Sequence, residues 1–187
     1  TVAKALGAGR TEIVFTGSGT EADNFAIRGV IDALPEKKEV ITSAIEHPAV
    51  IETAHYLEKK GVKIIYVPVD KYGTIDLDFL KDAITPQTAL ISIMQANNEI
   101  GTIQPIEEVC KIAKARGIPV HTDAVQSFGK IDVNVNKLGV DLLSISAHKI
   151  YGPKGVGALY IRKGINIWPI IYGGHQEREM RAGTENT

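Results

Sequence analysis

Ser146-Ala147-His148-Lys149 follows an apolar stretch, Leu142-Leu143-Ser144-Ile145, that reads as a buried strand. A lysine turned inward at such a strand end is desolvated. Desolvation lowers its pKa and makes the amine a nucleophile toward aldehydes. Turned outward, it is an ordinary surface lysine, and spacing alone does not separate the two. His148 suits a phosphate or a pocket wall. Asp123 and Gln126 lie just past another apolar strand, 118–122. A carboxylate there needs a partner. The protonated ring nitrogen of a ligand is one such partner, and a turn or helix N–H is the other. His47, between Glu46 and Pro48, sits at a strand-to-helix junction. An imidazole there either stacks on a flat aromatic ligand or caps the helix.

Gly17-Ser18-Gly19-Thr20 joins a strand to a helix. Its amides and hydroxyls face a helix N-terminus, where an anion is welcome. No Gly-Lys-Ser/Thr follows, and the third glycine of a dinucleotide fingerprint is absent. Two readings remain: the phosphate of a smaller cofactor, or a glycine turn with a Ser/Thr cap. The 5 histidines lack metal-ligand spacing, so no metal is expected. Cys110 shares the apolar stripe of a helix over 106–116 and reads as a core cysteine. A single cysteine excludes an intramolecular disulfide framework and an all-cysteine metal cage. It fits a reducing compartment.

The elements that must position these residues alternate. Strands are expected over 12–16, 40–42, 62–67, 89–94, 118–122 and 142–146, with helices over 22–34, 48–60, 76–83 and 106–116. Residues 156–161 and 165–171 also look strand-like. This alternation argues for a doubly wound α/β fold. In such sheets ligands collect at the carboxyl ends of the strands. Gly17–Thr20, Glu46-His47, Asn97-Asn98-Glu99, Asp123 with Gln126, and His148-Lys149 all stand just past strands, which suggests one shared site. The segment after Lys163 is less regular and reads as the way toward a second domain.

Composition bounds the function. The chain has 187 residues, 21 Lys plus Arg against 22 Asp plus Glu, and a net charge of -1. That gives a nucleic-acid surface no support. No apolar run approaches the ~20 residues that span a bilayer, and the first residues hold no signal-peptide core. A cytoplasmic protein without nucleic-acid or membrane partners is expected.

Together these residues resemble the pyridoxal-phosphate enzymes of the aspartate-aminotransferase fold, and more narrowly the cysteine desulfurase family of the class V aminotransferases. The matching stretches run along the whole chain: Gly17 to Asn24, Glu46 to Val50, Ala96 to Gly101, His121 to Ser127, Ser144 to Gly155, and Gly173 to Arg178 with Arg181 to Asn186. The resemblance implies a three-layer α/β/α large domain with a mostly parallel, seven-stranded-type sheet. It implies that residues 1–187 are that pyridoxal-phosphate-binding domain without the N-terminal segment and the C-terminal small domain.

The same resemblance assigns roles. Lys149 would hold pyridoxal 5'-phosphate as a Schiff base and then act as base. Asp123 would pair with the ring nitrogen, and His47 would stack on the ring. Gln126 and Asn98 would bond at or near the phenolic oxygen. Gly19, Thr20, Ser146 and His148 would bind the phosphate, and Thr184 would reach the phosphate of the partner subunit in a homodimer. The implied reaction takes sulfur from L-cysteine, leaving L-alanine and an enzyme persulfide. The persulfide would feed a sulfur-acceptor or iron–sulfur scaffold protein. Its cysteine and the arginine for the substrate carboxylate are expected outside this chain. Gly17-Ser18-Gly19 departs from the family's usual Ser-Gly-Ala run, and His175 and Glu179 stand where glycine is frequent. A selenocysteine lyase and a truncated, non-catalytic relative are the alternatives.

Overall fold

A computed structural model describes residues 1–186. Thr187, the last residue of the expected domain, lies outside the described residues. One seven-stranded sheet runs in the order β1-β7-β6-β5-β4-β2-β3. Its strands are β1 (Ile13–Thr16), β2 (Glu39–Ser43), β3 (Lys63–Val67), β4 (Thr88–Ser92), β5 (Val120–Asp123), β6 (Leu142–Ser146) and β7 (Gly157–Ile161). The pairs β3–β2, β2–β4, β4–β5 and β5–β6 are parallel, and β7 runs antiparallel to both β6 and β1. Among the described residues six α-helices flank the sheet: α1 (Val2–Leu6), α2 (Gly19–Ala33), α3 (Pro48–Glu58), α4 (Leu77–Ala83), α5 (Ile106–Lys114) and α6 (Val135–Leu138).

Strands β2, β4 and β6 are buried along their whole length, because both faces are covered. Successive side chains alternate between two cores. Val40, Leu90 and Leu142 pack with Phe25 and Val30 of α2 and Val50 and Leu57 of α3. Ile41, Ile91 and Leu143 pack on the other face with Leu80 of α4, Ile106 and Val109 of α5, and Val135 of α6. The result is the three-layer α/β/α sandwich expected from the sequence. No helix among the described residues is long and apolar enough to cross a membrane.

Local chemistry accounts for most element ends. Pro48 opens α3, where a missing N–H costs nothing. The Asp76 carboxylate accepts from the Phe79 amide and starts α4. Helix α2 begins earlier than the apolar pattern suggests, because Ser18 caps it by accepting from the Glu21 amide at 3.1 Å. Residues 165–171 form irregular chain instead of a strand. Pro169 has no donor for a ladder, and the segment lies along α2: Ile167 is buried there and the Trp168 amide donates to the Gly29 carbonyl at 2.9 Å. Helices α1 and α6 span 5 and 4 residues, too short for an apolar period to register.

Gly157, at the start of β7, permits the closest approach in the sheet region. A Cβ there would stand 2.4 Å from the Ser18 carbonyl carbon and 2.5 Å from its oxygen, both backbone atoms. The antiparallel strand therefore presses directly on the loop that opens α2. The variant Gly157→Ala is expected to destabilise the intact protein by about 1–3 kcal/mol. A urea titration checks this, and an unmoved midpoint would mean that β7 shifts freely.

Candidate active site

The carboxyl ends of β1, β2, β4, β5 and β6 bring the chemical residues to one edge. At the end of β1, the Gly17 amide donates to Glu21 Oε2 at 2.9 Å, and Glu21 pairs with Arg181 at 2.8 Å. This clamp ties the distant 181–186 segment to the loop. Gly19 and Thr20 are the first residues of α2, so no carbonyl within the helix can satisfy their amides. A Cβ on Gly19 would lie 2.7 Å from Val125 Cγ2 and 3.3 Å from Ser146 Cβ. Only a glycine leaves room where α2, the loop after β5 and the end of β6 converge. Ser146 Oγ stands 2.8 Å from His148 Nδ1 beside this space. Helix amides, a hydroxyl and an imidazole together form a donor set for a phosphate.

Asp123 ends β5 and is 5% exposed. Its Oδ1 accepts from the Val125 amide at 2.8 Å. Burial pushes its carboxyl up; the Val125 amide and the positive potential of His47 oppose that. His47 caps α3, where its Nδ1 accepts from the Ala49 amide at 3.1 Å. In the neutral ring this leaves the proton on Nε2. A buried carboxylate end facing an imidazole suits a flat, protonated nitrogen heterocycle. The donor set for an anion lies beside it, where the end of β6 meets Gly19 at the start of α2. These residues fit pyridoxal 5'-phosphate.

The other expected residues lie at the rim. Lys149 is exposed on a short 3-10 turn, Ala147–Ile150, so this chain by itself does not enclose the amine. Thr20 and Asn98 are exposed. Gln126 is half-buried and accepts from Lys130 Nζ at 3.0 Å. Thr184 is exposed and lines a cavity of about 250 Å³ with Gly17 and Arg181. A larger cavity, about 670 Å³, opens at the opposite end of the sheet beside Cys110, Ile118 and Pro119, and none of the expected site residues line it. Burial pushes the Cys110 thiol up to about 12, as an inert core cysteine requires.

The sequence placed Glu46 beside His47 at the shared edge but gave it no role. Its Oε1 accepts from Ser43 Oγ at 2.6 Å, and both oxygens accept from the Met94 amide, at 2.9 and 3.1 Å. It therefore fastens the loop carrying His47 to the end of β4. Its position beside His47 was the only available signal. Gln95 does similar work, accepting from Ser127 Oγ at 2.6 Å.

The fold and this edge define a class of protein: the chain belongs to the class-V aminotransferase family, whose sequence profile matches residues 1–187. Within that family its similarity is to cysteine desulfurases. The cysteine desulfurase IscS of Dictyoglomus turgidum is 63% identical over 186 residues, covering 99% of this chain and 47% of the relative. The cysteine desulfurase IscS of Methanosarcina thermophila is 57% identical over 185 residues, 98% of this chain and 46% of the relative. A solved NifS-like protein superposes with a TM-score of 0.96 at 50% identity, covering 99% of this chain and 52% of the other. SspA, solved in complex with cysteine, superposes with a TM-score of 0.94 at 45% identity, covering 98% and 54% of the two chains. The chain thus spans about half the length of the curated relatives it matches, and its sheet is that of the aspartate-aminotransferase fold.

Burial pushes the Glu46 carboxyl up to about 8 against the pull of its hydrogen bonds. A carboxyl raised on folding binds a proton that the unfolded chain releases above its usual pKa. Glu46 therefore contributes stability below about pH 4.5 that is lost as pH rises toward 8. The wild type is expected to lose about 1.4 kcal/mol per pH unit across that window from this group, and Glu46→Gln is expected to lack the loss. Unfolding curves of the intact wild type and variant between those pH values check it. Parallel profiles would show that Glu46 is ionised throughout.

Proposed function

We propose that the intact protein is a pyridoxal-phosphate-dependent cysteine desulfurase, converting L-cysteine and a protein thiol into L-alanine and a persulfide. One observation carries this reading: the Gly19–Ser146–His148 cradle and the Asp123–His47 pair share one sheet edge. The similarity to cysteine desulfurases supports the choice of substrate.

Each residue has a distinct task. The Gly19 and Thr20 amides, Ser146 and His148 hold the phosphate. Asp123 accepts the proton-bearing ring nitrogen, His47 covers a ring face, and Gln126 and Asn98 bond at the phenolic edge. Lys149 would hold the aldehyde carbon, and its amine, once free, would take the proton from substrate Cα. The bound cofactor supplies an electron sink for the charge left at that carbon. Cys110, buried in α5, is not the sulfur acceptor, which comes from elsewhere in the intact protein. Thr184, itself exposed, reaches a partner subunit's phosphate in a homodimer. An acceptor or iron–sulfur scaffold protein takes the persulfide sulfur onward.

The intact protein, loaded with pyridoxal 5'-phosphate and given L-cysteine with a reducing thiol, is expected to release alanine and sulfide in equal amounts. After borohydride reduction the pyridoxyl mass should sit on the peptide containing Lys149. Lys149→Ala should lose both the adduct and at least about 1000-fold in rate. Absence of alanine from the loaded wild type would overturn the reading.

A further inference from the structure

The α2-facing side of the sheet changes character just below the site. Val40, Leu90 and Leu142 form an apolar row across the strands. Two residues further along each strand stand Thr42, Ser92 and Ser144, with His121 on β5 between the last two. Register places Thr42 beside Ser92 and Ser92 beside His121. The His121 ring bridges them: Nδ1 lies 2.8 Å from Ser92 Oγ, and Nε2 lies 2.9 Å from Ser144 Oγ. Asp123, two residues beyond His121, faces the same way and pairs in register with Ser144. Above this row Asp23 descends from α2, 1% exposed. Its Oδ1 has no hydrogen-bond partner and stands 3.6 Å from His121 Nε2. That separation is beyond a hydrogen bond.

Burying an ionised carboxylate is costly, and the Ser144 hydroxyl is the one neighbour that favours the charge on Asp23. The groups facing Asp23 are Asp123 and His121 from β5, Ser144 from β6, and Glu46 from the loop after β2, while His47 faces Asp123 from the N-terminus of α3. Asp23, Glu46 and Asp123 thus crowd one dry layer, and their charges repel. We propose that Asp23 is a positioning residue that acts through Asp123: its carboxyl, set over the Ser92–His121–Ser144 row, holds a proton, so that Asp123 alone presents a charge to the cofactor's ring nitrogen. The directions of the shifts agree. Burial and the Asp123 charge push Asp23 well up against the pull of the Ser144 hydroxyl, and burial pushes His121 down to about 3, which keeps the ring neutral. An Asp23 carboxylate paired with a His121 imidazolium is therefore disfavoured. Among the described residues no group of acidic, histidine or cysteine side chains is arranged to hold a metal ion that could replace the proton.

This inference rests on the cofactor reading for Asp123, and its test separates the two. In the intact protein without cofactor, with aspartate carboxyl carbons labelled by 13C and the Asp23 signal assigned through Asp23→Asn, the Asp23 carboxyl should resonate as the acid at pH 7. The His121 ring should show neutral nitrogens. An ionised Asp23, or a His121 imidazolium, overturns the proposal whether or not any cofactor binds. In the loaded protein Asp23→Asn, which copies the neutral acid, should keep pyridoxal-phosphate affinity within about threefold. Asp23→Ala, which empties the place, should weaken it about tenfold or more. Equal losses in both variants, or no loss in Asp23→Ala, overturn the role through Asp123. A wild type that takes no pyridoxal phosphate sinks the cofactor reading, and the carbon signal still decides where the proton sits.

Discussion

Charge is costly in the space between α2 and the sheet, and the arrangement of the site follows from that cost. The layer is dry because both faces of a parallel sheet are covered, and the row of Leu142, Leu90 and Val40 seals it from below. Apart from Asp23 on α2, the polar groups named here enter where a strand ends or where a neighbour supplies a hydrogen bond. His121 meets the condition through two serines, Glu46 through Ser43 and Met94, and Asp123 through Val125. These three groups are thereby held in place before any ligand arrives. This is the preorganisation that electrostatic catalysis draws on.

Steric constraint completes what electrostatics begins. Gly19 and Gly157 lie on either side of the Ser18 cap, and both sit where a methyl group would overlap neighbouring atoms. The loop after β1 is therefore trapped between the end of β6 and the start of β7. The Arg181–Glu21 pair is less than one-fifth exposed on either side chain, at 18% each, and closes the loop from the outside. The first amides of α2 are thereby held beside Ser146 at the end of β6.

The alternation of strands and helices was plain in the sequence because buried parallel strands are apolar along their length and helices between them carry caps such as Asp76 and Pro48. The edge of the sheet bearing the site was legible for the same reason: Gly17–Thr20, His47, Asp123 and Lys149 each follow an apolar run. Residues 165–171 misled because an apolar run looks alike whether it pairs in a sheet or lies on a helix; the contact at Gly29 decided between them. Glu46 and Asp23 received no role because their significance lies in burial, and a glutamate or aspartate carries no local mark of being buried. Lys149 was legible as a type and a position, but its exposure depends on the turn at Ala147–Ile150, which no periodicity describes.

The pairing of Ile13 with Tyr160 and of Thr16 with Gly157 joins the beginning of the chain to its far part. Nearly all intervening strands find parallel neighbours within one crossover, whereas β1 has no partner until β7 has turned back along β6. Loop-closure entropy makes such a long-range contact late. During synthesis the β1 segment and its glycine loop must therefore wait as an unpaired edge while the central strands assemble. The anion cradle is the last part of the sheet to form, and cofactor capture through it would report completion of folding.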